Sequence, residues 1–183
     1  IFRIYSYFQK MKKIFKFVPL ILLTLVCVFF LLFILLEKDP SSPPSALIDK
    51  KLPQFSTLSL YDENIKLSSD DIETYTLINF FASWCTPCRA EHHLFFKIKK
   101  NHPNIYLVGI SHKDDLDDSK QYLSEEGNPY SFVGLDQDGR IALEFGVFGL
   151  PETFIISNDG KIIFKHMGPL TEEILNNEIS ALF

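Results

Sequence analysis

The chain has 183 residues, of which 46% are hydrophobic and 22% are charged, and its formal net charge is −5 at pH 7. This length allows one ordinary domain plus an appendage. All 23 acidic residues follow position 36, together with 13 of the 18 basic ones, so that this part carries a net charge of −10. A surface of this sign excludes nucleic acid as a natural partner and suits a basic one.

Residues 17–36, FVPLILLTLVCVFFLLFILL, form a run of twenty residues without a charge. A helix needs about 20 apolar residues to cross the bilayer core, so a single transmembrane anchor is predicted here. Five basic residues lie in segment 1–16, which predicts that this segment is cytoplasmic and that the rest of the chain is exported. A cleavable signal is the alternative, but the run is longer than the apolar core of a signal peptide, and no clear small-residue cleavage site follows it.

After the span, the polar, proline-rich stretch EKDPSSPPSA at 37–46 predicts a semi-rigid linker, and a domain occupies 47–183. Two short strands, FSTLSL and IKLS, are predicted around the turn YDEN. The apolar run TYTLINFF at 74–81 predicts a strand that is buried on both faces. IYLVGIS and YSFVGLD predict further strands, and TFIIS and KIIFKHMG predict a hairpin around an Asn-Asp-Gly turn.

Helices are predicted between these strands. Apolar residues recur every four positions at Ala90, Leu94 and Ile98, and basic residues with a proline beyond them mark the end of that helix. DDLDDSKQYLSEEG predicts a second helix, GRIALEFG a short third one, and TEEILNNEISALF a closing amphipathic helix. Strands that alternate with helices and then end in a hairpin predict an α/β domain.

Two cysteines, Cys85 and Cys88, stand three positions apart where the buried strand runs into the first helix. Such a pair could attach haem, bind zinc, form a structural crosslink or serve as a redox dithiol. Haem attachment needs a histidine directly after the second cysteine, and Arg89 occupies that position. Zinc needs two more ligands, and a second pair at zinc-finger spacing is absent from the sequence. His92 and His93, which follow on the helix, are therefore interpreted as surface residues.

A crosslink over two intervening residues closes too small a loop to constrain the unfolded chain much, so a redox dithiol is favoured. In a Cys-x-x-Cys motif at a helix N-terminus, the first thiol faces the positive end of the helix dipole, which stabilises the thiolate. Cys85 is expected to attack a target disulfide, and Cys88 to resolve the mixed disulfide. Pro87 suits an early helical position. The third cysteine, Cys27, lies in the predicted span and is interpreted as a small apolar residue.

The motif WCTPC, placed after a buried strand, resembles the thioredoxin superfamily, and GVFGLPETF at 146–154 resembles the segment that carries its cis-proline. Further matches at RAEH, HKDD, GNPY and KHMGPL narrow the resemblance to the membrane-anchored thiol:disulfide interchange proteins of cytochrome c maturation, the DsbE/CcmG type. The resemblance covers the chain from about residue 47 to the end, and the anchor and linker also fit. It implies a thioredoxin-like fold, with a central mixed sheet flanked by helices.

The resemblance also implies the composition of the site. It places a disulfide between Cys85 and Cys88, opposite a cis bond between Leu150 and Pro151, with acidic residues matching Glu91 and Glu152 nearby. The residues expected to bind substrate are Trp84, Leu150, Pro151 and Thr153. It implies no cofactor and no metal.

A reducing role at the bacterial inner membrane, with the domain on the periplasmic side, follows from the same resemblance. The implied partners are apocytochrome c, or another thiol protein of cytochrome c maturation, and a membrane thiol reductase that supplies electrons. Two other functions stay open: a general extracytoplasmic disulfide reductase, and a non-catalytic peptide-binding module on the same fold. A peroxidase would more usually carry its attacking cysteine without this paired motif.

The two glutamates favour a reductant independently of the resemblance. Glu91 lies three residues beyond Cys88, on the same side of the predicted helix, and Glu152 follows the predicted cis-proline. Carboxylates near the sulfurs destabilise the thiolate, disfavour the reduced form and lower the reduction potential. Glu152 is expected to face the disulfide more closely than Glu91, so its replacement is expected to have the larger effect.

Overall fold

The computed structural model describes residues 17–33 and 47–182. Residues 17–33 form helix α1, whose side chains are exposed. Among the described residues, none of the helices combines the length and the apolar character that a membrane crossing requires. The predicted basic segment 1–16, the end of the predicted span and the linker 37–46 lie outside the described residues.

The described part of the domain is built on a mixed β-sheet. The strands are β1 (Ser56–Leu58), β2 (Lys66–Ser68), β3 (Thr76–Phe81), β4 (Tyr106–His112), β5 (Phe132–Asp136), β6 (Glu152–Ile156) and β7 (Ile162–Met167). β1 and β2 form an antiparallel ribbon, and the other strands form one sheet in the order β5-β4-β3-β6-β7. β3, β4 and β5 run parallel, whereas β6 and β7 are antiparallel to their neighbours. This arrangement confirms the expected α/β fold with a central mixed sheet.

The central strand, β3, is buried along its whole length, as the apolar run predicted. Its alternate side chains point to opposite faces of the sheet, and each face carries its own apolar cluster. The cysteine-side core includes Leu77, Phe81, Cys85, Cys88, Leu94, Phe95 and Ile98. The far-side core includes Ile78, Phe80, Val108, Phe145, Phe154 and Ile156.

The helices of the domain are α2 (Thr86–Asn101), α3 (Leu116–Glu125), α4 (Arg140–Glu144) and the single turn α5 (Glu172–Ile174). Helices α2, α3 and α4 lie in the connections between strands, and α5 follows the last strand. Cys85 is the N-cap of α2, and Pro87 lies in the first turn, where its missing N–H would have had no partner within the helix. The basic residues Lys99 and Lys100 occupy the last turn, where the helix dipole favours positive charge.

The closing segment differs from the single amphipathic helix that its sequence predicted. After α5 the chain continues as a π-helical turn over Leu175–Ile179 and a 3₁₀ turn over Ser180–Leu182. The Ser180 hydroxyl donates to the Leu175 carbonyl at 2.8 Å, and such side-chain bonds to the backbone compete with the regular helical ladder. The apolar anchors are as expected, because Leu175 and Ile179 are both buried.

Candidate active site

The two cysteines form a disulfide at the junction between the central strand and α2. The Sγ atom of Cys85 accepts a hydrogen bond from the Cys88 backbone N–H at 3.2 Å. Both residues are buried in the cysteine-side core. In the reduced protein, the backbone N–H and the N-terminal end of the helix dipole would stabilise a thiolate on Cys85.

An aspartate that the sequence analysis did not single out holds the loop that leads into the cysteines. The Asp114 carboxylate accepts hydrogen bonds from the backbone N–H and the hydroxyl of Ser83, both at 2.7 Å. It also accepts one from Ser119 on α3 at 2.6 Å. Trp84, which follows Ser83 in the chain, is 63% exposed, and its indole N–H points to the Lys113 carbonyl at 3.4 Å. The loop is thus fixed, while the indole surface beside the disulfide is open to solvent.

The segment before β6 carries the other residues expected to bind substrate. The Leu150–Pro151 peptide bond is cis, as the resemblance implies. Leu150 is partly buried and packs against both the cysteine-side core and the far-side core. Thr153 is fully buried in β6, so it supports the site from within rather than offering a side chain to substrate. Phe148, which its sequence context did not mark as a site residue, is 88% exposed and extends the apolar surface next to this segment.

Glu91 lies at the centre of a buried polar network on the cysteine side of the sheet. Its side chain is one turn beyond Cys88 on the buried face of α2, and the residue is 1% exposed. Oε1 accepts from the Asn79 amide at 2.9 Å, and Oε2 accepts from the Leu170 backbone N–H at 2.6 Å. Asn79 also donates to the Thr153 hydroxyl at 3.1 Å. The carboxyl group therefore links α2 to the central strand, to β6 and to the segment after β7.

The environment of Glu91 makes its charged form costly. Burial raises the pKa of Glu91 to about 7, although the hydrogen bonds from Leu170 and Asn79 act in the opposite direction. Its hydrogen-bond donors are both uncharged, and within the described residues no basic side chain forms an ion pair with it. This carboxyl group can therefore exchange a proton near neutral pH.

Glu152 does not lie where the sequence analysis placed it. It is as buried as Glu91, at 1% exposure, but it shares a strand face with Phe154, which belongs to the far-side core. Its carboxylate forms an ion pair with Lys165 at 3.1 Å and accepts from the Phe148 backbone N–H at 2.7 Å. The expectation that Glu152 faces the disulfide more closely than Glu91 is wrong, because the strand pleat turns its side chain to the other face of the sheet. Glu152 instead holds the loop before the cis-proline.

The interpretation of His92 as a surface residue is also wrong. His92 is buried, with Nε2 2.9 Å from the Gly127 carbonyl and Nδ1 2.9 Å from the Tyr122 hydroxyl. Burial lowers the pKa of His92, because it disfavours the charged form of the ring. His93 is exposed, as predicted. In the part of the chain that the structure describes, no group of three or more His, Cys, Asp or Glu side chains could hold a metal ion.

The structure thus places Cys85, Cys88 and Glu91 on one side of the sheet and Glu152 on the other, while Leu150 packs against the cores on both sides. A redox pair that opens the helix after the central strand of such a sheet defines a class, the thioredoxin-like thiol:disulfide oxidoreductases.

Comparison with known proteins identifies the family. Residues 48–165 match the model of the AhpC/TSA family. The chain is 36% identical over 176 residues to the thiol:disulfide interchange protein DsbE of Yersinia pestis, which covers 91% of this chain and 90% of that one. It is 38% identical over 148 residues to DsbE of Escherichia coli K12, with coverage of 79% and 78%.

Among solved structures, the domain resembles a thiol-disulfide oxidoreductase from Bacteroides fragilis NCTC 9343. The TM-score is 0.61 at 26% sequence identity, and the match covers 73% of this chain and 100% of that one. The chain therefore belongs to the AhpC/TSA family and, within it, to the thiol:disulfide interchange proteins of the DsbE type.

Proposed function

We propose that this thiol:disulfide interchange protein is a membrane-anchored reductant that acts outside the cytoplasm in cytochrome c maturation. Its substrate is the pair of cysteines in the haem-binding motif of apocytochrome c, or a thiol protein of the same pathway. A membrane thiol reductase returns electrons to it. Segment 17–36 anchors the chain in the bacterial inner membrane, and the domain lies on the periplasmic side.

One observation carries the reductant role: Glu91 is buried on the same face of α2 as Cys88, and none of the described residues supplies a counter-charge to it. When Glu91 is ionised, its negative charge opposes the formation of a thiolate in the same low-dielectric region. The charge therefore disfavours the reduced form, which contains the thiolate, relative to the uncharged disulfide. A couple whose reduced form is destabilised has a lower potential and gives its electrons away more readily.

The exchange uses both sulfurs and this carboxyl group. The Cys85 thiolate attacks the target disulfide, forming a mixed disulfide and releasing the first target sulfur as a thiolate. Cys88 then gives its proton to the Glu91 carboxylate and attacks Sγ of Cys85, which breaks the mixed disulfide and releases the second target thiolate. The target gains two electrons, and the chain is left with the Cys85–Cys88 disulfide.

The exposed apolar side chains around the disulfide suit a protein substrate. Trp84 and Phe148 expose apolar rings beside the cysteine loop and beside the cis-proline segment, and such rings can pack against an extended peptide. The net charge of −10 after position 36 favours a basic protein partner over an acidic one.

Trapping in cells tests this proposal. The full chain carrying Cys88→Ser should accumulate disulfide-linked partners through Cys85, because no resolving thiol remains to release them. Cys85→Ser is the matched control and should trap far less. Mass spectrometry of the trapped proteins should find apocytochromes c or a thiol protein needed for their maturation. Recovery of unrelated exported disulfide proteins alone would favour a general reductase, and equal trapping by both variants would remove the assigned roles.

A further inference from the structure

Tyr130 is a buried tyrosine that reaches the active-site network from the loop before β5. Its ring stacks on Phe81 with the centroids 5.4 Å apart. Gly109 makes room for it, because a Cβ atom at that position would lie 2.8 Å from Cδ2 of Tyr130. The Tyr130 hydroxyl donates to Oδ1 of Asn79 at 2.8 Å. A side chain packed this tightly holds its hydroxyl in one place.

This hydroxyl decides which way the Asn79 amide faces. With Oδ1 turned toward Tyr130, the amide NH₂ group donates to Glu91 at 2.9 Å and to Thr153 at 3.1 Å. If the amide were reversed, the buried Tyr130 proton would lose its acceptor, and Oδ1 would face the Glu91 carboxyl. An unsatisfied buried donor is costly, so the tyrosine disfavours the reversed orientation.

We propose that Tyr130 is a positioning residue for Glu91: it fixes the Asn79 amide so that a hydrogen-bond donor always faces the carboxyl group. A donor favours the ionised carboxylate, whereas the reversed amide would present an acceptor, which pairs only with a protonated carboxyl. Tyr130 thereby sets how readily Glu91 gives up or takes a proton. The hydrogen bonds from Tyr130 through Asn79 to Glu91 exist without a substrate. This inference therefore rests on the proposed function only for its effect on thiol–disulfide exchange.

Other titratable groups lie on the same side of the sheet as Glu91, and a test of Tyr130 must leave them unchanged. Cys85 and Cys88 lie at the start of the same helix. Tyr122 approaches from α3, where its hydroxyl bonds His92. His166 on β7 pairs in register with Thr153, on the same side of the sheet. Of these groups, Tyr122 offers a matched control, because it is a second buried tyrosine whose ring also packs on Phe81, with centroids 5.8 Å apart.

The test is a pH titration of the Glu91 carboxyl that is monitored by carbon-13 NMR. The sample is the oxidised full-length protein in detergent micelles, and Glu91→Gln serves to assign the signal. In Tyr130→Phe the midpoint should move up by about one pH unit, because a hydrogen bond to the charged form is weakened. In Tyr122→Phe it should stay where it is in the wild type. A midpoint that is unchanged or lowered in Tyr130→Phe would overturn the proposal, as would an equal rise in both variants.

Incorporation of 3-fluorotyrosine at position 130 keeps the ring and the hydroxyl if Tyr130→Phe fails to fold. Its more acidic hydroxyl donates more strongly to Asn79, so the midpoint should move down, and an upward shift would contradict the proposal. The titration needs no disulfide substrate. A wild-type chain that reduces no disulfide would therefore contradict the proposed function but not this inference. A Glu91 midpoint that does not move in either Tyr130 variant would contradict this inference but not the proposed function.

Discussion

Two buried glutamates on opposite faces of the same sheet meet opposite surroundings. Glu91 and Glu152 are equally buried, at 1% exposure each. Glu152 has Lys165 as a counter-charge, whereas the donors that reach Glu91 from the described residues, Asn79 and Leu170, are both neutral. The comparison shows that burial alone does not make a carboxyl group chemically active. The Glu152 carboxyl is held in a structural contact with Lys165, whereas the Glu91 carboxyl can exchange a proton near neutral pH.

Removing the counter-charge of Glu152 should have the largest effect on stability. Lys165→Met leaves a buried carboxylate unpaired and should lower the free energy of unfolding by about 3–5 kcal/mol, measured by urea denaturation of the full chain. Lys161→Met is the matched control, because its ion pair with Asp159 is exposed, and it should change little. The double variant Glu152→Gln, Lys165→Met should recover part of the loss, and no recovery would mean that the ion pair is not the cause.

The pH dependence of stability should separate the two glutamates. The pKa of Glu91 is raised by burial from 4.5 to about 7 in the folded chain, so the folded state binds the extra proton. Glu91 therefore costs no stability below about pH 4.5, where it is protonated in the folded and the unfolded chain. As the pH rises toward 7, the free energy of unfolding falls by about 3 kcal/mol in all. The free energy of unfolding between pH 5 and pH 8 should show this slope in the wild type and in Glu152→Gln. Glu91→Gln should lack it, and a slope that survives in this variant would contradict the assignment.

A smaller effect is expected on substrate affinity. The Glu152 carboxylate accepts from the backbone N–H groups of Phe148 and Gly149, at 2.7 and 3.4 Å. Glu152→Gln should loosen this loop and raise KM for an oxidised Cys-x-x-Cys-His peptide about tenfold, since hydrogen bonds to a charged group contribute about 1.5–3 kcal/mol. Glu125→Gln, at an exposed position on α3, serves as the control. An unchanged KM would show that the carboxylate does not hold the loop in a form that matters for binding.

Local patterns in the sequence were enough to predict the cysteine pair at the start of α2, the buried central strand and the closing hairpin. Each depends on residues that are close together in the chain. The orientation of Glu152 was not predictable in this way, because it depends on the pleat of β6 and on Lys165 in the next strand. The burial of His92 depends on Tyr122 in α3, thirty residues away.

Dependence on residues that are far apart in the chain also explains why some site residues were not predicted from the sequence. Asn79 lies inside an apolar run, where a single amide is an unusual residue, and that was the available signal. Its partners Glu91, Thr153 and Tyr130 come from three other parts of the chain, which only the folded sheet brings together.

The reduction potential of the Cys85–Cys88 couple tests the central claim most directly. Full-length wild type, Glu91→Gln and Glu152→Gln are equilibrated with glutathione at pH 8, where Glu91 is ionised, and at pH 5.5, where it is protonated. At pH 8 the potential of Glu91→Gln should rise by about 30 mV, which corresponds to about 1.4 kcal/mol, whereas Glu152→Gln should match the wild type. The difference should vanish at pH 5.5. A wild-type potential in Glu91→Gln at pH 8, or a larger rise in Glu152→Gln, would contradict the account.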